Sequence, residues 1–383
     1  MQLKSVEYSQ FEGTSYEWTL RGLTLRDINL LVGKNASGKS MILAIIHNIA
    51  LAIAGRHLPL FNHHIIFMLD EDGQETRYEV KGQNNVLVLE RFTINGEIKL
   101  NRGEGGLGKI HAEKEGKSIE FQTPENQLAI AARRDTLQHP FFEPIHHWAD
   151  ALYYYPFGTP LGKDHLMVLP DGEAPIHGIP VDPKNTSEVV GIFYKGKRDF
   201  DDTFMNAVRE DFRAVGYAID EIGLAPPRGI KIGTPFPSKV SAIYAKETDL
   251  PGITEQDVIS QGMFRALSLI IQINYAVLAG TPSCILIDDI GEGLDFERSV
   301  NLIDVLMEKV KGSSVQIIMA SNDHFVINHV PLEVCAFVDR QANHVEIRNY
   351  ENSKEIFDDF EFTGLNNFDF LAFDYLHATE TGE

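Results

Sequence analysis

Cysteine is nearly absent from this chain: two occur in 383 residues, Cys284 and Cys335. Both lie in apolar, strand-like runs, so they read as core thiols rather than as a disulfide framework. No apolar run approaches the ~18 to 20 residues that a membrane span needs. The opening Met1-Gln2-Leu3-Lys4 also lacks the apolar stretch of a signal peptide. The expectation is a cytoplasmic protein with no membrane partner. Positive charge is scarce too. Lys and Arg number 34 against 55 Asp and Glu, for a net charge of −21. Such a chain repels a polyanion as a whole, which disfavours nucleic acid but leaves a local basic groove possible. Lys195, Lys197 and Arg198 are the best candidates for one, and three cations in a loop read as solvated surface. A basic protein partner suits the charge better.

What is present is ordinary for a large globular α/β protein: 43% hydrophobic and 23% charged residues. The run 28–32 has the length and β-branching of a buried strand and leads straight into a glycine. A dense apolar stretch over 41–54 predicts a buried helix. Between 64 and 121, apolar and polar positions alternate, punctuated by Asp72-Gly73, Asn95-Gly96 and the glycines of 103–108, which predicts an antiparallel meander. Residues 125–152 look helical with a break at Pro140. Residues 156–190 are rich in proline and glycine and read as a long irregular excursion. A helix over 201–215, a strand over 240–246 and a long apolar helix over 261–279 follow. Beyond them strand and helix alternate cleanly: strand 284–288, helix 296–311, strand 315–320, helix 323–329, strand 333–339. That alternation argues for a parallel α/β sheet.

Three motifs carry chemistry. Gly33-Lys34-Asn35-Ala36-Ser37-Gly38-Lys39-Ser40 fits the P-loop pattern G-x4-G-K-S and sits between a predicted strand and a predicted helix. Its glycines let successive N–H groups point inward around phosphates, and the helix N-terminus favours the anion. Lys39 is placed for the β- and γ-phosphates and Ser40 for Mg2+. Four apolar residues then an acid, Cys284-Ile285-Leu286-Ile287-Asp288, describe a buried strand ending at a carboxylate. In a P-loop fold that makes Asp288 the expected Walker B aspartate, holding Mg2+ through water. Third, Ser260-Gln261-Gly262-Met263 opens the long helix before Walker B and resembles the S-x-G core of the ABC signature. Gly293-Leu294-Asp295 then follows as a D-loop.

On these motifs the chain resembles the ABC ATPases of the SMC, RecF and OLD kind, and most closely small stand-alone proteins grouped with the AAA-family ATPases. The resemblance runs from Ile28 to the tail, although only the four short motifs are specific. Between 55 and 250 it rests on the order of elements. It implies one ABC-type head: an antiparallel β subdomain over 55–122, a helical and irregular insertion over 123–250, a signature and Walker B half over 251–349, and an acidic, aromatic tail over 350–383. It also implies ATP and Mg2+ as ligands, and two copies paired head to tail, with Ser260, Gly262 and Asp295 serving the opposite copy's ATP. Gln122, ending Ile119-Glu120-Phe121-Gln122, matches the Q-loop glutamine.

Two positions depart from the family. Asp289 stands where a glutamate usually polarises the attacking water, one methylene shorter. Asn322 replaces the switch histidine, and can hydrogen-bond a γ-phosphate but not carry a proton. Glu292 is a rival base that the D-loop alignment turns away, and His324 faces elsewhere. Slow turnover is the expectation, with ATP binding intact. Several relatives serve in anti-phage defence beside an effector, so a protein effector encoded nearby is an expected partner. A DNA-repair or DNA-end ATPase and an ATP-sensing scaffold are the alternatives.

Other features read as structural. His63-His64 and His146-His147 are adjacent in sequence, a poor spacing for a metal. Tyr153-Tyr154-Tyr155 reads as a packed strand end rather than a base-stacking platform. Arg133-Arg134-Asp135 reads as an ion-paired helix face, with one arginine turned to phosphate as the alternative. In 351–383, nine acids accompany one lysine and seven aromatic rings. The rings are expected to pack on the domain while the acids face water, with a docking surface for a basic partner as the sharper possibility.

Overall fold

The computed structural model describes residues 1–56, 62–170, 180–228, 238–280 and 282–375. The chain divides into two units. Unit 1 comprises Met1–Tyr153, Ser283–Ile287 and Gly312–Glu383, and unit 2 comprises Tyr154–Pro282 and Asp288–Lys311.

Unit 1 opens with strands β1 (Gln2–Gln10), β2 (Trp18–Thr24) and β3 (Ile28–Val32), then helix α1 (Lys39–Ile53). Six strands succeed one another: β4 (His63–Glu71), β5 (Gln74–Gln83), β6 (Val86–Ile94), β7 (Glu97–Arg102), β8 (Leu107–Ala112) and β9 (Lys117–Gln122). Every consecutive pair among them is antiparallel. The first three turns have two residues each, Asp72-Gly73, Asn84-Asn85 and Asn95-Gly96, and all six residues have positive φ. Asn, Asp and Gly tolerate that conformation best, and it matches the twist of a tight hairpin. The sequence reading marks the first and third turns and passes over Asn84-Asn85.

Where a long helical region is expected over 125–152, the structure has two short pieces, α2 (Ala129–Ala132) and α3 (Glu143–Asp150). Pro140 and Pro144 both fall at first-turn positions, which divides the segment. Strand β10 (Leu152–Pro156) carries the chain into unit 2.

Unit 2 holds β11 (Met167–Pro170), α4 (Val189–Ala214), β12 (Ile219–Ala225), β13 (Ser238–Glu247), β14 (Thr254–Glu255) and α5 (Gln261–Ala279). β13 is the centre of its sheet, paired antiparallel with β11, β12 and β14. Part of the excursion expected over 156–190, residues 171–179, lies outside the described residues. Helix α4 begins well before the expected 201 and bends at Asp201, whose φ is +44. The three cations of the supposed loop lie on its first half. Lys195 pairs with Asp199 and bonds the Tyr275 hydroxyl, and Arg198 also pairs with Asp199, so two of the three are tied to one carboxylate. Among the described residues α5 alone is long and apolar enough to cross a membrane, contrary to the sequence reading. Its apolar window is 78% buried, the setting of a core helix.

Strand β15 (Cys284–Asp288) closes into unit 1, α6 (Phe296–Val310) belongs to unit 2, and the rest returns to unit 1: β16 (Gln316–Ser321), α7 (His324–His329), β17 (Cys335–Gln341), β18 (His344–Asn349), α8 (Lys354–Thr363) and α9 (Asn367–Ala372). The large sheet runs β10-β15-β16-β3-β17-β18-β2-β1-β4-β5-β6-β7-β8-β9. Its β15-β16-β3-β17 portion is parallel, and β1 joins β4, so the meander of 64–121 continues the sheet. Cys284 and Cys335 are buried free thiols, and burial pushes both up in pKa.

Candidate functional site

The P-loop grows out of a fully committed strand. From Asn29 to Val32 every residue of β3 is buried, so the chain leaves the sheet at a fixed point. It then turns tightly, with φ of +61 at Ala36 and +112 at Gly38. Gly38 is needed twice over, because a Cβ there would also meet the Trp18 ring at 3.3 Å. Lys39 is buried, and its ammonium donates to the Gly33 carbonyl at 2.8 Å and the Lys34 carbonyl at 3.1 Å. A charge held inside a loop of backbone dipoles in this way is poised for an anion. The Ser37 hydroxyl is buried and has no hydrogen-bond partner among the described residues. An orphaned donor at the centre of the loop fits a phosphate oxygen. Ser40 stands exposed on the first turn of α1.

Two side chains from elsewhere in unit 1 hold the apex of the loop. Asn322, one residue past β16, donates its amide to Asn35 Oδ1 at 2.6 Å. Arg340, at the end of β17, donates to the Ala36 carbonyl at 2.7 Å. His324 instead lies against Phe325 and Phe368. The strands end in step: Val32 of β3 pairs with Ser321 of β16, and Met319 pairs with Ile287 of β15. Gly33 and Asn322 thus leave the carboxyl edge of one parallel sheet, where ligands bind in open α/β folds. The residue after Ile287, Asp288, is the last of β15.

In unit 2 Asp288 is buried, and the Tyr154 hydroxyl donates to its Oδ2 at 3.4 Å. Burial, with the Asp288 carboxylate adding to it, pushes the Tyr154 phenol up to about 12, so it remains a donor near neutral pH. Asp289 adopts φ +53, a left-handed conformation that aspartate tolerates better than most residues. Gly158 sits against it: a Cβ at 158 would lie 2.6 Å from Glu292 Oε2 and 3.2 Å from Asp289 Oδ2. Both carboxylates therefore converge on one spot. Glu292 does not turn away as the D-loop alignment implies, because a tight turn donates its N–H to the Asp289 carbonyl and folds it back.

Arg265 fixes that arrangement. It donates to the carbonyls of Gly158, Thr159 and Glu292 and pairs with the Glu292 carboxylate at 3.7 Å. It lies three residues past Gly262, one turn along α5, and sequence reasoning overlooked it. Ser260 caps α5, accepting from the Met263 N–H at 3.3 Å, and remains exposed. Asp295 caps α6 through the Arg298 N–H and pairs with the Arg298 guanidinium. The signature and D-loop residues also touch: a Cβ on Gly262 would lie 2.1 Å from the Gly293 carbonyl oxygen. Gly262→Ala should thus force the two turns apart. The expected loss is about 1–3 kcal/mol of unfolding free energy, read from urea denaturation. An unchanged midpoint would mean the two turns do not need this contact.

The structure does not bring Gln122 to the P-loop. β3 is fourth in the sheet order and β9, which Gln122 ends, is fourteenth. Its amide donates to the Gly105 carbonyl, a strand-end role. The strand beside β15 is β10, and the segment leaving it, Phe157–Thr159, contains no glutamine. The Phe157 N–H donates to the Asp288 carbonyl at 2.9 Å. Tyr153–Tyr155 form the middle of β10 rather than its end, and Tyr154, which composition gives no reason to single out, is the member that donates to Asp288. Arg134 pairs with Glu143 rather than Asp135, while Arg133 bonds the Gln122 carbonyl. His63 is buried against Tyr8, and burial pushes it down to about 4, while His64 pairs with Glu79.

No protein-family model matches the sequence, and no curated protein matches it. Among solved structures, the SMC head bound to the C-terminal winged-helix domain of ScpA aligns over 91% of this chain and 97% of its own. The TM-score is 0.50 and the identity 14%. The SMC head domain from Thermotoga maritima covers 91% of this chain and 99% of its own, at TM-score 0.45 and 13% identity. The Smc head with an extended coiled coil from Pyrococcus furiosus, bound to the C-terminal domain of ScpA, covers 94% and 99%, at 0.47 and 13%. At such identity the likeness concerns architecture: the chain has the mixed α/β fold of an SMC-type ABC ATPase head.

Proposed function

We propose that this chain is an ATP-binding, slowly ATP-hydrolysing switch that works as a head-to-tail pair. The observation that carries the reading is the P-loop itself, closed around the buried Lys39 ammonium with the Ser37 hydroxyl left without a partner. A nucleoside triphosphate supplies an acceptor oxygen for the Ser37 hydroxyl and brings negative charge beside the Lys39 ammonium. Residues 33–40 hold the phosphates, with Ser40 and Asp288 as the Mg2+ set. A metal ion held there would supply charge neutralisation at the transferred phosphoryl group. Tyr154 orients Asp288, Asp289 positions the water, and Asn322 donates to the terminal phosphate in place of Asn35. Neither Gln122 nor an equivalent glutamine takes part.

Unit 2 offers support for the pairing. Ser260 stands exposed at the N-terminus of a 19-residue helix, an anion-seeking end. Around it, Val258 is 70% exposed, and Phe296, next to Asp295, is 56% exposed. Apolar side chains flanking polar ends suit a surface that closes on a second copy. Gly262 and Asp295 complete the contribution to the opposite copy's ATP. Control of a partner effector, in bacterial anti-phage defence, is the role that the family resemblance supports. A DNA-repair role finds less support, since Lys195 and Arg198 are tied to Asp199.

The test is phosphate release and solution mass with and without ATP, for wild type and Asp289→Asn. Slow turnover and an ATP-dependent doubling of mass are expected in the wild type. Asp289→Asn should lower turnover by at least about a hundredfold and keep the doubling. Nucleotide binding without any phosphate release would convert the reading to an ATP-sensing scaffold, and failure to bind ATP would end it.

A further inference from the structure

The acidic tail resolves into an anchored face and an outward face. Phe357, Phe360 and Phe370 are buried in one cluster. Phe370 packs against Phe337 of β17 at 4.3 Å between ring centroids, and against Phe360 and Phe357 at 4.9 and 5.0 Å. A hydrogen bond from the Asn367 amide to the Val330 carbonyl at 2.7 Å adds a polar tether. These contacts fasten α8 and α9 to unit 1 and leave other rings unused. Phe362 is 98% exposed, Phe373 62% and Leu365 44%. Large apolar side chains that the fold does not need and water does not favour mark an interaction site.

The charge between them selects the occupant. From 351 to 375 there are seven acids and one lysine. Glu351 is committed to Arg26, Asp358 to Lys354, and Asp369 to the capping box of α9. Glu355, Asp359 and Glu361 are exposed and have no ion pair among the described residues. We infer that the outward positions of α8 and α9 are a docking face for a basic, apolar-bearing segment of a partner protein. Its apolar side chains cover Phe362, Leu365 and Phe373, and its cations meet Glu355, Asp359 and Glu361. The face is placed to matter: Phe370, Leu371 and Asp374 also line a cleft of about 350 Å³ whose other wall includes Lys34–Ser37 and Arg340. An occupant thus rests beside α9, which lines the cleft that the P-loop shares.

Fluorescence anisotropy on the full chain tests this with a dye-labelled amphipathic helix of Lys and Leu, and with its counterpart bearing Glu for every Lys. The Lys peptide should bind and the Glu peptide should not. Phe362→Ser/Phe373→Ser and Glu355→Gln/Asp359→Asn/Glu361→Gln should each weaken binding at least about tenfold. Their melting temperatures should stay at the wild-type value, because no substituted side chain is buried. Equal binding to wild type and both variants would mean diffuse attraction to a net charge of −21 and would overturn the proposal. So would a wild-type solution mass without nucleotide that falls in Phe362→Ser, which would assign the face to a second copy. Phe362-dependent sedimentation with phosphatidylcholine vesicles would assign it to a lipid surface and overturn it equally.

Discussion

Lys39→Ala should lower ATP turnover by about two orders of magnitude or more while leaving the sheet intact. The Lys39 ammonium is buried, its bonds run to the Gly33 and Lys34 carbonyls, and both lie inside one loop. Truncation removes the charge that a phosphate would meet and also the donor that gathers the two carbonyls. Charge stabilisation of this kind works best where water is excluded. Loss of one loop contact should cost the fold far less, since β3 is fixed by β16 and β17 on either side. Phosphate release and equilibrium nucleotide binding, each beside a thermal melt, separate these effects. Lys39→Arg keeps the charge but enlarges a head group that has little room, so it should rescue binding only in part. Turnover within a few-fold of wild type in Lys39→Ala would remove the loop from the chemistry and leave the proposed function without its main support.

The parts of this architecture that a sequence shows are those set by neighbours along the chain. The P-loop declares itself because a short apolar run, two glycines and a lysine must all fall within a dozen residues. Helix α5 is legible at 261–279 because its apolar run is long and dense. Gln122 was misplaced for the opposite reason. A strand-end glutamine carries no mark of which strand pairs with which, and five successive hairpin connections carry β9 to the far edge of the sheet. The place beside β15 goes to β10, a five-residue, tyrosine-rich strand. Helix α4 was begun too late because Gly191 and Gly196 weaken the local helical signal. The structure explains Gly196, where a Cβ would lie 2.6 Å from the Phe204 ring. The convergence of Asp289 and Glu292 depends on Gly158, more than 130 positions earlier in the chain. No periodicity or spacing joins residues so far apart.

The second large effect is on stability and lies away from the phosphate loop. Glu90→Ala should lower the unfolding free energy by about 3–5 kcal/mol. Glu90 and Arg102 are both fully buried, on adjacent strands of the meander, with 3.3 Å between Oε2 and Nη1. The carboxylate also accepts the Ala129 N–H at 2.6 Å, the Ile130 N–H at 2.9 Å and the Tyr78 hydroxyl at 3.0 Å. Arg102 in turn donates to the carbonyls of Gln127 and Pro124, at 2.6 and 2.7 Å. The pair thus closes the segment 123–130 onto β6 and β7 from both sides. Removing the carboxylate strands a buried guanidinium, two backbone donors and a phenol at once, and an unpaired buried charge is the largest of these penalties. Glu90→Gln keeps the volume and one acceptor oxygen, so it should fall between wild type and alanine. The double variant Glu90→Gln/Arg102→Met should recover part of the loss, because it removes the orphaned charge together with its partner. Urea denaturation of the four proteins decides the matter. A loss below about 1 kcal/mol in Glu90→Ala, the size of one ordinary hydrogen bond, would mean that water or a rearranged loop replaces the carboxylate and that the pair does not clamp the segment.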